Sequence, residues 1–319
     1  MRTALLSACL LLSSSLAAQA IPSTGVERDP GADSFWRLSY DNDFFTATDR
    51  YFTQGILLEI GAPWVRRIPI TRALIAPRRS HVRYSLAYED DGYTPTDLKA
   101  SAILVGDRPY AGTKQLRVIA LARDTMRKQR VTSALNVGIL GQGAGGAEIQ
   151  TWIHRQTGNT IPRGWQHQIR NDLILNYEAG IERELLRTGS HLSLAGSGVG
   201  RIGTYNTSAA IGTTLLAGRI GSPFGRIPAS ATAAYVYLKP QVSLVGYDAT
   251  LQGGLINRGS PYTIAARDLR RLVLRQYAGV VYQRGSWYAE YYQSVTSPEF
   301  TGGDRQRSGG FVIGRRAQR

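Results

Sequence analysis

The chain has four histidines, His81, His154, His167 and His191, and one of them is placed for chemistry. His154 lies inside 145–158, where Ala147, Gln150, Ile153, His154 and Thr157 recur at helical spacing between Gly141-Gln142-Gly143 and Gly158. A short helix there projects Gln150 and His154 from one face, so the two can share a substrate or a water. An imidazole titrates near neutrality and can serve as a general base; the competing reading is a hydrogen-bonded packing histidine. A second concentration of polar groups is Tyr40-Asp41-Asn42-Asp43, followed by Asp49-Arg50-Tyr51-Phe52-Thr53-Gln54-Gly55. Carboxylates and carboxamides crowded at a strand end are hard oxygen ligands of the kind Ca2+ prefers. The spacing is not that of an EF-hand loop, and a turn capped by Asx side chains would use the same residues. Gly-x-Ser-x-Gly, His-Glu-x-x-His, a phosphate-binding Walker loop and a dinucleotide fingerprint are all missing from the sequence. The common soluble-enzyme chemistries therefore have no anchor.

Strands must position these groups. From residue 35 onward, segments of about ten residues alternate between two faces and are separated by turns rich in Gly, Pro, Asn and Asp. Trp36, Leu38 and Tyr40 share one face while Arg37 and Ser39 share the other. Tyr177, Ala179, Ile181 and Leu185 likewise oppose Glu178, Glu182 and Glu184, a charged face that predicts a wet lumen. Strands are predicted at 35–40, 51–60, 83–88, 114–123, 131–141, 177–185, 191–199, 208–218, 233–238, 241–247, 269–282, 287–295 and 309–314. The expected fold is all-β, an antiparallel transmembrane β-barrel of about twelve strands with one short loop helix near the site. Trp36, Tyr40, Tyr51, Tyr282, Trp287, Tyr291 and Tyr292 are expected in aromatic girdles at the membrane interfaces. The chain ends in a basic tail rather than an aromatic residue, so Phe311 is expected to take the place of the usual terminal aromatic.

The N-terminus names the compartment. Arg2, an apolar run from Ala4 to Ala18 and the small-x-small site Ala18-Gln19-Ala20 make a secretory signal over 1–20, leaving 21–319 as a single barrel domain. The single cysteine, Cys9, falls inside that signal, which removes disulfides and thiol chemistry from the mature protein. A lipoprotein reading of Leu6-Ser7-Ala8-Cys9 would leave too short an apolar core before it. The net charge of +15 is carried mostly by arginine, with lysine only at positions 99, 114, 128 and 239. Arginine forks bind phosphate and carboxylate, which suggests an anionic partner, although codon preference alone would produce the same skew. An exported chain without a nucleic-acid module is not expected to bind nucleic acid. Outer-membrane lipids are the expected surroundings.

Read in order, Asn-Asp-x-Phe at Asn42, Thr-Asp-Arg-Tyr-x-Thr-x-Gly from Thr48 to Gly55, Tyr93-Thr94-Pro95, Gly106-Asp107-Arg108-Pro109-Tyr110-Ala111-Gly112, Gln150-x-x-x-His154-Arg155 and Gly164-Trp165-Gln166-His167-Gln168 make one series. Leu251-Gln252-Gly253 and Glu299-Phe300-Thr301-Gly302 follow it more thinly. The series resembles the lipid A 3'-O-deacylase (LpxR) family. The resemblance implies a barrel of about twelve strands in the outer membrane, with its site between the wall and a helix from an external loop. It implies hydrolysis of the 3'-linked acyloxyacyl ester of lipid A, the lipid of lipopolysaccharide, by a monomer. His154 would be the general base, Asp43 a ligand of Ca2+, and Asn42 and Thr53 polar groups that orient water or the carbonyl. Lys99 is the nearest basic residue after Tyr-Thr-Pro and, with Arg50 and Gln150, would bind substrate. A phospholipase of the same membrane and a non-catalytic barrel or pore are the alternatives.

Overall fold

The computed structural model describes residues 25–29, 31–46, 50–225 and 232–317. The expected signal segment and Cys9 lie outside the described residues. Twelve antiparallel strands run β1 Phe35–Asn42, β2 Tyr51–Gly61, β3 His81–Thr94, β4 Ala111–Asp124, β5 Gln129–Leu140 and β6 Asp172–Thr188, then β7 Leu192–Gly203, β8 Asn206–Arg219, β9 Thr232–Asp248, β10 Leu272–Arg284, β11 Trp287–Thr296 and β12 Gln306–Arg316. Each pairs with its neighbours in sequence, and β1 pairs with β12 from Phe35 opposite Arg316 to Asn42 opposite Gly309, which closes the barrel. Closure leaves no edge with unpaired backbone groups, as lipid requires.

The predicted segments 233–238 and 241–247 are one strand, β9, that runs through Pro240. Proline has no N–H to donate, and the ladder to β8 is interrupted there, between Gly212 opposite Gln241 and Leu215 opposite Leu238. The interruption lets the strand continue.

Parity decides which solvent each side chain meets. Leu58, Ile60, Leu116, Leu173, Leu175, Ile181, Leu244 and Leu272 point outward and stay exposed, the apolar band of a membrane barrel. Their neighbours in sequence, among them Arg37, Glu59, Arg117, Glu178 and Glu182, point inward and are buried. Trp36 and Trp287 meet edge to face at 6.2 Å on one rim, and Tyr40, Phe45, Tyr291 and Phe311 cluster toward the other. Two expected girdle residues sit elsewhere. Tyr292 faces the lumen, and Tyr51 packs beneath the loops against Phe300. Phe311 lies opposite Tyr40, well up the wall from the C-terminal rim.

The lower half of the lumen is occupied by protein, because the chain before β1 folds into it. A single 3-10 turn, Val26–Arg28, enters the barrel with Glu27, Arg28 and Asp29 all buried. Arg28 grips Glu290 at 2.8 Å, and the Tyr237 and Tyr288 hydroxyls donate to the same carboxylate at 2.6 Å each. Lys239 reaches Glu27 at 2.8 Å. Asp29 is held by Arg83 and Arg123, with Arg130 at 3.5 Å. Burial opposes ionisation of Asp29, but the Arg123, Arg83 and Arg130 guanidiniums overcome it and hold the carboxyl well below the usual carboxylate range. Many of the arginines therefore neutralise carboxylates inside the protein.

This segment acts as a plug made of ion pairs. Asp29→Ala would leave three guanidiniums facing one another without their shared counter-charge, a loss of about 3–5 kcal/mol. The expected outcome is a lower heat-modification temperature on gels and the appearance of steady conductance in planar bilayers, where the unmodified protein is nearly silent. The pH dependence has a definite sign. A depressed carboxyl contributes its full stabilisation above the ordinary carboxylate pKa of about 4 and loses it only as pH falls through the depressed value. The heat-modification temperature should therefore change little between neutrality and mild acid as far as Asp29 is concerned, and Asp29→Asn should lower it by the same amount throughout that range, the difference from the unmodified protein narrowing only in strong acid.

Candidate functional site on the outer wall

The two ends of the barrel differ. Turns after β4, β6 and β10 are short and lie on the side of the chain termini, while the long connections after β3, β5, β9 and β11 gather at the opposite end. Long loops mark the external face of such barrels. The predicted helix 145–158 is found as α1, Gly146–Thr157, in the loop after β5. Its two ends are turned by glycines in the left-handed region, Gly145 at φ 71° and Gly158 at φ 70°. Gly146, Gln150 and His154 form its buried stripe, one residue per turn.

Bare backbone lets α1 approach the wall. Gly112 on β4 points outward, and a Cβ there would sit 3.3 Å from the Gly146 nitrogen. Next to this contact Gln150 bridges two elements. Its Nε2 donates to Thr53 Oγ1 at 2.7 Å, and its Oε1 accepts from Trp165 Nε1 at 2.7 Å. Thr53 lies at the irregularity where β2 shifts register against β3 between Phe52 and Gln54. Its carbonyl accepts from Asn42 Nδ2 at 2.5 Å, so Asn42, Thr53 and Gln150 are one hydrogen-bonded chain. His154 follows Gln150 by one turn of the same face. The structure thus brings the imidazole and the Asn42-Asp43 strand end to the same end of the wall.

His154 is buried, and its Nδ1 lies 2.5 Å from the Thr160 carbonyl. A carbonyl can only accept, so the proton of the neutral ring resides on Nδ1 and the lone pair on Nε2. Asp43 is 2% exposed and its Oδ2 accepts from the Arg50 backbone N–H at 2.5 Å. The Arg50 side chain turns away to Asp304 at 2.6 Å, so its link to the site is through the backbone. Lys99 is exposed on the loop after β3, next in sequence to Leu98, which packs with Tyr110 and Trp165. Gln150 uses both ends of its amide on protein partners and so positions the helix.

Parity gives the site its surroundings. Tyr40, Asn42, Tyr88, Asp90 and Lys114 all occupy outward positions on β1, β3 and β4, so these polar groups belong to the outer face of the wall and not to the lumen. Tyr88 donates to Asp90 at 3.0 Å and Lys114 lies 3.7 Å from it. These three were not singled out in the sequence; the only signal was polar residues at outward positions of strands whose other outward positions are apolar.

The sequence motifs also find their partners. Asp107 accepts from Thr96, backbone and hydroxyl, at 2.8 and 2.6 Å. Arg108 reaches Glu299 at 2.5 Å and Thr250 at 2.6 Å, tying three external loops across the mouth. Tyr110 packs on Trp165 at 4.9 Å. Together they clamp the loop that holds α1.

Calcium fits the donor chemistry in a limited way. Asp43 and Asn42 supply hard oxygens, but no group of three or more His, Cys, Asp or Glu suited to a metal occurs among the described residues. A six- to eight-coordinate ion would therefore need carbonyls, water and substrate oxygens to complete its shell.

A search of curated protein sequences finds no match. Among solved structures, LpxR from Salmonella typhimurium aligns with a TM-score of 0.71 at 18% identity, covering 89% of this chain and 100% of that one. The β domain of the Bordetella autotransporter BrkA aligns at a TM-score of only 0.45 and 9% identity, over 88% of this chain and 98% of that one. The family model described as outer membrane protein LpxR matches residues 5–316, nearly the whole length. The chain belongs to the LpxR family of outer membrane proteins.

Proposed function

We propose that the protein is a lipid A deacylase of the outer membrane, which hydrolyses the 3'-linked acyloxyacyl ester. The observation that carries this reading is the hydrogen-bonded chain from Asn42 through Thr53 to Gln150, which ties α1, with His154 one turn further on, to the outer face of the wall. A lipid whose head group stands at the external surface can place an ester there without leaving the membrane.

In this mechanism His154 Nε2 accepts a proton from a water whose oxygen attacks the ester carbonyl. Thr160 holds Nδ1–H and favours the imidazolium that forms. Asn42 and Thr53 orient the water or the carbonyl. Asp43 and Asn42 would hold Ca2+, whose chemistry when bound is stabilisation of the charge developing on the carbonyl oxygen. Lys99 would contact the phosphorylated head group. The phospholipase alternative shares this chemistry and is separated by competition with phospholipid vesicles. The packed plug in the lumen favours neither an open pore nor passage of substrate through the barrel.

Purified protein incubated with lipid A and Ca2+ should release one acyloxyacyl chain, read by mass spectrometry. His154→Ala should slow release by about 100-fold or more; an unchanged rate would overturn the mechanism. Chelation by EGTA should abolish release, with Ca2+ restoring it. Gln150→Leu leaves Thr53 and Trp165 without their partner, at a cost of about 1–3 kcal/mol. It should lower kcat more than it changes KM, while the barrel still migrates as folded.

A further inference from the structure

At the opposite end of the barrel the connection between β2 and β3, residues 62–80, is far longer than its neighbours on that rim. It carries Arg66, Arg67, Arg72, Arg78 and Arg79 and not one Asp or Glu. Two 3-10 turns, Pro63–Arg67 and Pro69–Ala73, fold it. It does not hang free into solvent but lies back along the outside of the wall. Tyr177 on β6 donates to the Ala73 carbonyl at 3.0 Å, and Ser133 on β5 donates to the Ile75 carbonyl at 3.2 Å, both from outward positions. Val65 and Leu74 are buried beneath it.

What remains on its outer side is an amphipathic surface. Trp64, Ile70 and Ile75 are exposed at 52%, 37% and 46% beside the apolar band of the barrel. All five arginines are exposed, and no ion pair to an acidic residue is formed by any of them among the described residues. This contrasts with the lumen, where arginines are matched to carboxylates. Between this segment and the start of β3 lies a groove of about 570 Å³ lined by Arg66, Arg78, His81, Arg83 and Tyr84 and by one carboxylate, Asp33, 3.5 Å from His81.

The geometry points to a binding site for an anionic glycerophospholipid of the periplasmic leaflet, its phosphate held by Arg66 and Arg78 and its acyl chains lying along Trp64, Ile70 and the wall. The arguments are charge and position. Guanidinium forks take phosphate oxygens in pairs, and a tryptophan among basic residues at the rim is the composition that settles at the head-group boundary. The segment would fix the depth and rotation of the barrel from the end opposite α1, so it stands apart from the proposed deacylase reaction.

The test uses the full-length protein in detergent, titrated with phosphatidylglycerol and, separately, phosphatidylethanolamine, and read by native mass spectrometry. Phosphatidylglycerol should bind at least about tenfold more tightly than phosphatidylethanolamine. R66Q/R78Q should lose most of that preference, whereas R258Q/R305Q, an equal charge change in the external loops, should keep it. Brominated phosphatidylglycerol in vesicles should quench a component of tryptophan fluorescence that is missing in W64F. This second readout needs no change to the groove arginines. Equal binding of the two lipids, or equal loss in both double variants, would overturn the proposal, as would quenching that W64F leaves unchanged.

Discussion

Closure of the wall between β1 and β12 is the constraint on which everything else rests. A sheet in lipid cannot carry unpaired N–H and C=O groups, so the edges must meet. Once they do, each side chain faces either lipid or the lumen by its parity alone. A single strand thus bears exposed Leu58 and Ile60 on one side and Glu59 on the other. A charge placed outward meets lipid, and most of the charges placed inward are met by a partner.

The inward charges obtain their partners from two sources. Some come from across the barrel, as when Arg117 reaches Glu89 at 2.9 Å, and Glu178 accepts from Arg201 at 2.6 Å. Others come from the segment before β1, which carries Glu27, Arg28 and Asp29 into the lower lumen in consecutive positions. That short stretch alternates acid, base and acid against walls of the opposite sign. Its burial is possible because every charge on it is matched, and the matching in turn keeps the lumen filled.

Outward polar groups occur where lipid is replaced by protein. Beside α1 the wall presents Asn42, Asp90 and Lys114 outward, and the helix carries Gln150 and His154 on its buried face. The helix is held by small residues that admit it and by one bifunctional amide. Gly112 and Gly146 allow the close approach; Gln150 ties Trp165 on one side to Thr53 on the other. At the other rim residues 62–80 leave lipid-facing arginines uncovered by protein, which is why that surface asks for an anionic partner.

Much of this was legible in the residues. Period-2 alternation, turn residues and the lone 3.6-residue pattern depend only on local chain geometry, so the strand wall and α1 could be read from them, with Pro240 mistaken for a break. The ordered motifs likewise marked Asn42, Asp43, Thr53, Gln150 and His154. Three things belonged to tertiary structure alone. Asp29 meeting Arg83, Arg123 and Arg130 joins residues from four separate segments, and nothing in their spacing encodes that encounter. Tyr51 and Tyr292 read as interface aromatics because burial by loops and plug leaves no local trace. The outward placement of Asn42, Asp90 and Lys114 also followed only when the register was known, because a shift of one residue would turn them to the lumen. Local pattern determined what the pieces are; long-range pairing decided which face each one shows.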